Sequence, residues 1–322
     1  MDLKALFLAG ALLPGAGCVG QSGYSPRDTT YSINSTYTKV VKQYPDVRPV
    51  YGTLPEGVLE DTNRVYTEAI HGRPLHLDVW FPADSSVAPR PGILMIHGGG
   101  WTTGSKENLH PMARQLAARG YVTVTPEYRL SAEAPYPSGV RDLKLAVRWM
   151  RAHADEYGID TSRIAAFGAS AGAHLASLLG TTNHLPLYDT LSPLNQYSAG
   201  VQAVLNIDGI VSFIHPDAEP EWTGRSANAW LGDYEANYER WREASPLEYA
   251  GPDTPPFLFV NSSYPRFHAG RQELLHILDQ SNTKNEVVTF ENSPHGFWLL
   301  QPWFEPTLYL TDGFLEAVFS KR

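Results

Sequence analysis

Three short stretches bring together residues able to perform acyl transfer. "FGASAGAHLA" holds Gly168-Ala169-Ser170-Ala171-Gly172, the pattern G-x-S-x-G. A serine at a tight strand-to-helix turn is pushed outward, and small flanking residues let strand and helix approach. The start of the following helix offers free N–H groups and a dipole that favour negative charge. Taken alone the pattern is weak, since with Gly and Ser each near ~7% it arises by accident roughly one time in ten in a chain of this length. A packing turn would look the same. "MIHGGGW", Met95 to Trp101, is more specific. Three successive glycines after a strand leave backbone amides open to the oxyanion of an acyl-transfer intermediate, where a flexible loop is the blander alternative. The expected donors are Gly99 and Gly100, with Ala171 after the nucleophile, and His97 reads as an orienting residue beneath them. "ENSPHGFW" places His295 just beyond a strand near the end of the chain, where a base could reach Ser170. The chain has 11 histidines, so position rather than type singles this one out. His174 reads as a packed structural histidine.

These residues need a scaffold that gathers strand ends, and the chain spells one. "LHLDVWFP" alternates like a strand, and "GILMIHGG" is a continuous apolar run. "LHPMARQLAARG" has helical spacing, "YVTVTPEYR" is β-branched, and "GVRDLKLAVRWMRAHADEYG" is a long amphipathic helix with Val140, Leu143, Val147 and Met150 on one side. "RIAAFG" and "VQAVLNIDG" read as strands around the helix "SAGAHLASLLG". Residues 212–255 read as an irregular, cap-like insertion. "FLFVN", "GRQELLHILDQ", "NEVVTFE" and a helix from Leu308 to Phe319 complete the chain. Strands alternating with helices predict an α/β fold, a mostly parallel sheet with helices on both faces and loops collected on one edge.

The composition agrees with one large domain: 322 residues, 43% hydrophobic and 18% charged. A net charge of -9 with no basic run argues against a nucleic-acid partner. Residues 1–20 have Lys4, an apolar stretch from Ala5 to Leu13 and small residues up to Cys18, the layout of an export signal too short for a membrane span. Cys18 is the only cysteine, which excludes an internal disulfide. Its place after Gly15-Ala16-Gly17 resembles a lipoprotein processing site, so membrane attachment through a lipidated Cys18 is one expectation. A secreted or periplasmic location is the other. Residues 21–60 are polar and read as an N-terminal extension, and residues 61–322 as the catalytic domain. Asn34-Ser35-Thr36 and Asn261-Ser262-Ser263 match glycosylation sequons, a pattern common by chance.

"HGGGW", "EYRLSAEAPYPSGVRDLKLAVRWMRAHADEYGID", "RIAAFGASAGAHLA" and "SPHGFW" resemble the α/β-hydrolase fold. Within it they are similar to carboxylesterases and carbohydrate acetyl or feruloyl esterases with an HGGG-type oxyanion loop. The resemblance runs from about Val65 onward and implies a Ser170 nucleophile, a His295 base and no cofactor. It also implies an acid in a "G-x-x-D-x-x-V" loop after the next-to-last strand. "NSSYPRFHAG" departs from that, because the six residues after Asn261 contain no Asp or Glu. Asp208, ending the apolar run "AVLNI", is the replacement we expect, as in some lipases of this fold that carry the acid one strand earlier. A carboxylate there needs a partner to be buried, whereas a turn-capping aspartate would not. Glu273 in the next helix is the alternative, better explained as a residue favoured by the helix dipole. Glu291 reads as a solvent or loop residue, Asp142 and Asp160 as scaffold. A Ser-His pair without an acid is the third option, since losing the acid costs about 10⁴ in turnover yet leaves activity.

For the substrate, Trp101, Trp222, Trp230, Trp298 and Trp303 are candidate platforms for sugar rings, although each alone is as well explained by packing. Arg266 and His268 are candidates for binding hydroxyls or a carboxylate. The expected partner is an acylated plant or algal polysaccharide or its oligosaccharides, losing acetyl or, next, feruloyl groups. A general small-ester carboxylesterase is the nearest alternative. A serine peptidase of this fold would need a large extra domain. A degenerate hydrolase acting as a binding protein has only the missing loop acid in its favour. No His/Asp cluster has metal-ligand spacing in the sequence.

Overall fold

A computed structural model describes residues 27–67, 73–84, 86, 89–218 and 220–320, without the side chains of 220–223. The export-signal and Cys18 expectations lie outside the described residues. Eight strands form one sheet: β1 (Val58–Thr67), β2 (Leu75–Pro82), β3 (Arg90–Ile96), β4 (Val122–Pro126), β5 (Ile159–Ala169), β6 (Ala203–Ile207), β7 (Phe257–Asn261) and β8 (Asn285–Thr289). Their order is β1-β2-β4-β3-β5-β6-β7-β8. β1, β2 and β4 pair antiparallel, and every pairing from β4 through β8 is parallel.

The central strands are apolar on both faces because both are covered. In β3, Leu94 and Ile96 join one core while Ile93 and Met95 join the other. Helix α3 (Ser138–Ala152) buries Val140, Leu143, Val147 and Met150 in the first core. Helix α5 (Ala171–Thr181) lies on the same face. Helices α2 (His110–Ala118) and α9 (Phe304–Phe319) cover the other. The predicted long helix breaks at His153, whose ring Nδ1–H and backbone N–H both donate to the Trp149 carbonyl, and resumes as α4 (Ala154–Tyr157).

The N-terminal stretch and the insertion are more ordered than their composition suggests. Helix α1 (Ile33–Val40) starts at a Ser32/Ser35 capping box and buries Ile33 in the second core. Arg48–Pro49 pairs with Leu300–Gln301. The insertion folds into α6 (Pro220–Leu231) and α7 (Tyr238–Glu243), which bury Ala227, Trp230, Leu231 and Trp241 in the first core. Helix α8 (Arg271–Gln280) links β7 to β8. Among the described residues no helix is long and apolar enough to cross a membrane.

Candidate active site

The carboxyl ends of β3, β5, β6 and β8 open onto one edge, and each supplies a piece of the site. At the end of β5, Ser170 is held at φ 56 and ψ -122 before α5 begins. A backbone in this sparsely populated region costs roughly 1–3 kcal/mol and survives only if neighbours impose it. They do. A Cβ at Gly168 would lie 1.9 Å from the Gly172 carbonyl oxygen, and one at Gly172 would lie 2.1 Å from that of Ile96. The two glycines of G-x-S-x-G are therefore demanded by the closeness of β5, α5 and β3. The Ser170 N–H donates to the Ile207 carbonyl at 2.8 Å, tying the turn to β6.

The Ser170 hydroxyl faces His295 Nε2 at 2.8 Å, and His295 Nδ1 lies 2.7 Å from Asp208 Oδ2. With Nδ1–H donated to a carboxylate, the Nε2 lone pair is left to accept from the serine. Asp208 follows β6 at φ 59 and is 0% exposed. A carboxylate buried that deeply needs more than one partner. Its Oδ1 accepts the Ser262 N–H at 2.8 Å, and its own N–H donates to the Val260 carbonyl at 2.9 Å. The loop after β7 thus contributes a backbone donor to the acid rather than an acid of its own. It also contributes Phe267, which stacks on His295 with centroids 3.7 Å apart and planes 11° apart. Glu273 is elsewhere: its side chain is 50% exposed and meets His215 at 3.1 Å. Glu291 is exposed, Asp142 pairs with Arg129 at 2.7 Å, and Asp160 pairs with Arg163 at 2.7 Å.

The glycine loop passes close against Ser170. A Cβ at Gly98 would sit 3.0 Å from that of Ser170. Gly99 has φ 123, and a Cβ on it would land 2.0 Å from the Thr103 carbonyl oxygen. Gly100, at φ 59, and Ala171 line a cavity of about 140 Å³ together with Ser170, Trp101, Ile210, Ser226, Arg266 and Phe267. His97 is buried beneath the loop, and its Nδ1–H donates to the Gly98 carbonyl at 2.7 Å. Burial, with the Arg27 charge added, drives its pKa down to about 3. His174 is fully buried, donating Nε2–H to the Ala244 carbonyl at 2.7 Å and accepting the Trp101 indole N–H at 3.2 Å.

The aromatic expectations need correction. Trp230 is 1% exposed and stacks flat beneath Trp101, with centroids 5.3 Å and planes 7° apart. Trp298 is 2% exposed and sets its edge against His295 at 5.2 Å. Neither lines the cavity beside Ser170: Trp230 packs under Trp101 and Trp298 against His295. Trp303 packs on Tyr44, and the side chain of Trp222 lies outside the described residues. Trp101, 7% exposed, does reach the cavity, as does Arg266. His268 instead donates to the Ser262 carbonyl at 3.2 Å and holds the loop beside the acid. The fold also assembles a cluster that spacing did not reveal: ligand atoms of Asp78, Glu107 and His110 lie within 4.8 Å of one another. The Lys106 ammonium already pairs with Asp78 there, supplying the positive charge a metal would bring. Phe267, Ser262, Ile210 and Ser226 were missed, since only the folded loops bring them to the site. Arg27 was missed for the same reason.

An eight-stranded, mostly parallel sheet with a serine elbow, a histidine and a buried carboxylate at its carboxyl edge defines the α/β-hydrolase class. The BD-FAE family model matches residues 77–265, and the chain belongs to that family. Among curated proteins it is 32% identical over 263 residues to Esterase LipC of Mycobacterium tuberculosis, spanning 76% of this chain and 63% of LipC. It spans about half to just under two thirds of the length of the first curated relatives it matches. Among solved structures it is similar to a thermophilic esterase, Est2, from the Planctomycetes species Thermogutta terrifontis. The TM-score is 0.67 at 26% identity, covering 84% of this chain and 96% of that one. A truncated carbohydrate esterase from gut microbiota shares the fold, with a TM-score of 0.63 at 21% identity, covering 83% of this chain and 99% of that one.

Proposed function

We propose that the chain is a serine carboxylesterase that releases short acyl groups, with a carbohydrate hydroxyl as the leaving alcohol. The observation that carries the ester-hydrolase reading is the unbroken line Asp208–His295–Ser170, with contacts of 2.7 and 2.8 Å, beside a cavity of about 140 Å³. In this mechanism Ser170 Oγ attacks the ester carbonyl while His295 Nε2 takes its proton. Asp208 holds the imidazole in the Nδ1–H tautomer and stabilises the imidazolium. Backbone N–H groups of Gly99, Gly100 and Ala171 receive the oxyanion. His295 then protonates the departing alcohol oxygen, leaving an acyl-serine. A water, deprotonated by His295, attacks that ester, and as the intermediate collapses His295 returns the proton to Ser170 Oγ and the carboxylic acid leaves.

The cavity is well below the ~300 Å³ at which pockets hold drug-sized ligands, which supports a short acyl group. Its walls mix apolar Trp101, Ile210 and Phe267 with Ser226 and Arg266, donors suited to a hydroxyl-rich alcohol half. The apolar share of that wall favours a second reading, a general esterase of small esters. The export-type leader from Met1 to Cys18 supports release from the cytoplasm, toward extracellular acylated glycans.

The test is hydrolysis of 4-nitrophenyl acetate, butyrate and octanoate, followed by acetic acid release from acetylated xylo-oligosaccharides. Turnover should favour the short esters and fall about 10⁴-fold or more in Ser170→Ala. Acetic acid release faster than 4-nitrophenyl acetate cleavage at equal concentration supports the carbohydrate reading. Cleavage of aryl esters without glycan deacetylation leaves the general esterase. Activity that survives Ser170→Ala would overturn both.

A further inference from the structure

The residues before Val58 do more than precede the catalytic domain. Arg27 reaches under the glycine loop, where its Nη2 donates to His97 Nε2 at 2.8 Å and its Nε to the Gly104 carbonyl at 3.2 Å. The Gly104 N–H in turn donates to the Asp28 carbonyl at 2.9 Å. Thr103 Oγ1 meets Asp28 Oδ1 at 2.9 Å and accepts the Tyr31 N–H at 3.1 Å. The same segment touches the other half of the site. A Cβ on Gly296, next to His295, would lie 2.7 Å from Thr36, and the Val50 N–H donates to the Leu299 carbonyl at 3.0 Å.

The chemistry of the Arg27 contact is directional. Guanidinium only donates, so His97 Nε2 must be the unprotonated nitrogen. The ring proton is then on Nδ1, where it is donated to the Gly98 carbonyl at 2.7 Å. In a planar trans peptide, C=O and N–H point opposite ways, so fixing the Gly98 carbonyl fixes the Gly99 N–H. The other tautomer would set a lone pair against that carbonyl and release the peptide to turn.

We propose that Arg27 is a positioning residue for the oxyanion loop, acting through the tautomer of His97 to hold the Gly99 N–H in its productive direction. This rests on the esterase reading above. Arg27 touches no substrate atom. Its effect belongs to the step in which the oxyanion forms, so it falls on kcat and leaves KM nearly unchanged.

The test uses the full chain with Arg27→Met, which keeps the stem and removes the donors, and Arg27→Lys, which keeps a donor. Removing an oxyanion-hole donor outright costs about 10²–10³ in kcat, and loosening one should cost about 10–10². For 4-nitrophenyl acetate, Arg27→Met should lose that much kcat with KM within about twofold, and Arg27→Lys should stay within a few-fold of wild type. In a His97→Asn background Arg27→Met should add nothing, because the relay is already cut. Nitrogen NMR of His97 should show a lone pair at Nε2 in the wild type and a mixture of tautomers in Arg27→Met. Unchanged kcat in Arg27→Met, equal losses in Met and Lys variants, or full additivity with His97→Asn would each overturn the proposal. A wild type inactive on every ester would remove the esterase reading, and the His97 tautomers would still decide whether Arg27 sets them.

Discussion

Asp208 works because three neighbours make a buried charge tolerable. His295 takes one oxygen, the Ser262 N–H takes the other, and the Asp208 N–H is itself tied to Val260. Only the first of these partners could be anticipated from residue types. That an acid was missing from the β7 loop was plain in "NSSYPRFHAG". That the same loop would supply a backbone donor and an aromatic lid for the histidine was not, since both depend on how the loop closes over β6. Phe267 lies flat on His295 at 3.7 Å, restricting the ring to the plane that serves both Ser170 and Asp208. Aromatic stacking of this kind is worth about 0.5–1.5 kcal/mol. Replacing Phe267 with Ala should therefore lower kcat/KM for 4-nitrophenyl acetate by about two- to tenfold. An unchanged or faster variant would show that the ring merely covers the site.

At the level of elements, the strands were legible because β3, β6, β7 and the second half of β5 carry apolar runs that lead into His97-Gly98, Asp208, Asn261-Ser262 and Ser170 at the site edge. The elbow was legible because its two glycines are required by the close approach of β5, α5 and β3. That requirement makes a prediction. Gly172→Ala must push a methyl group into the Ile96 carbonyl, and the backbones of β3 and α5 have no flexible side chain to move aside. Urea unfolding followed by circular dichroism should show a loss of at least about 3 kcal/mol, at or beyond the upper end of the usual range for a single substitution. A loss below about 1 kcal/mol would mean that the elbow is looser than described. The order in residues 27–50 and 212–255 was not legible. Helix α1 has few apolar positions, and its stability comes from a capping box and from Ile33 docking on a distant part of the chain. The tryptophans misled for a related reason: nothing in the local sequence distinguishes Trp101, at the cavity, from Trp230 packed beneath it.

At the scale of the whole molecule, burial holds His97 and His174 neutral, lowering their pKa values to about 3 and about 4. In the unfolded chain both would titrate near 6.5. Because their folded pKa values are depressed, the unfolded state binds more protons at any pH between the two values. Their contribution to stability is therefore complete above about 6.5 and is lost as pH falls through that window. When both proton differences are fully expressed the slope approaches about 2.7 kcal/mol per pH unit. Urea midpoints should accordingly drop between pH 7 and pH 5. A flat stability curve over that interval would contradict the neutral, buried state of both rings.

The central claim is that the acid serving His295 is Asp208, at the end of β6, with the β7 loop supplying no carboxylate. The most direct test is steady-state hydrolysis of 4-nitrophenyl acetate by wild type, Asp208→Asn and Glu273→Gln. The account predicts a fall in kcat of about 10⁴ for Asp208→Asn, because the amide favours the wrong histidine tautomer, and near wild-type turnover for Glu273→Gln. Wild-type kcat in Asp208→Asn, or a comparable collapse in Glu273→Gln, would contradict it.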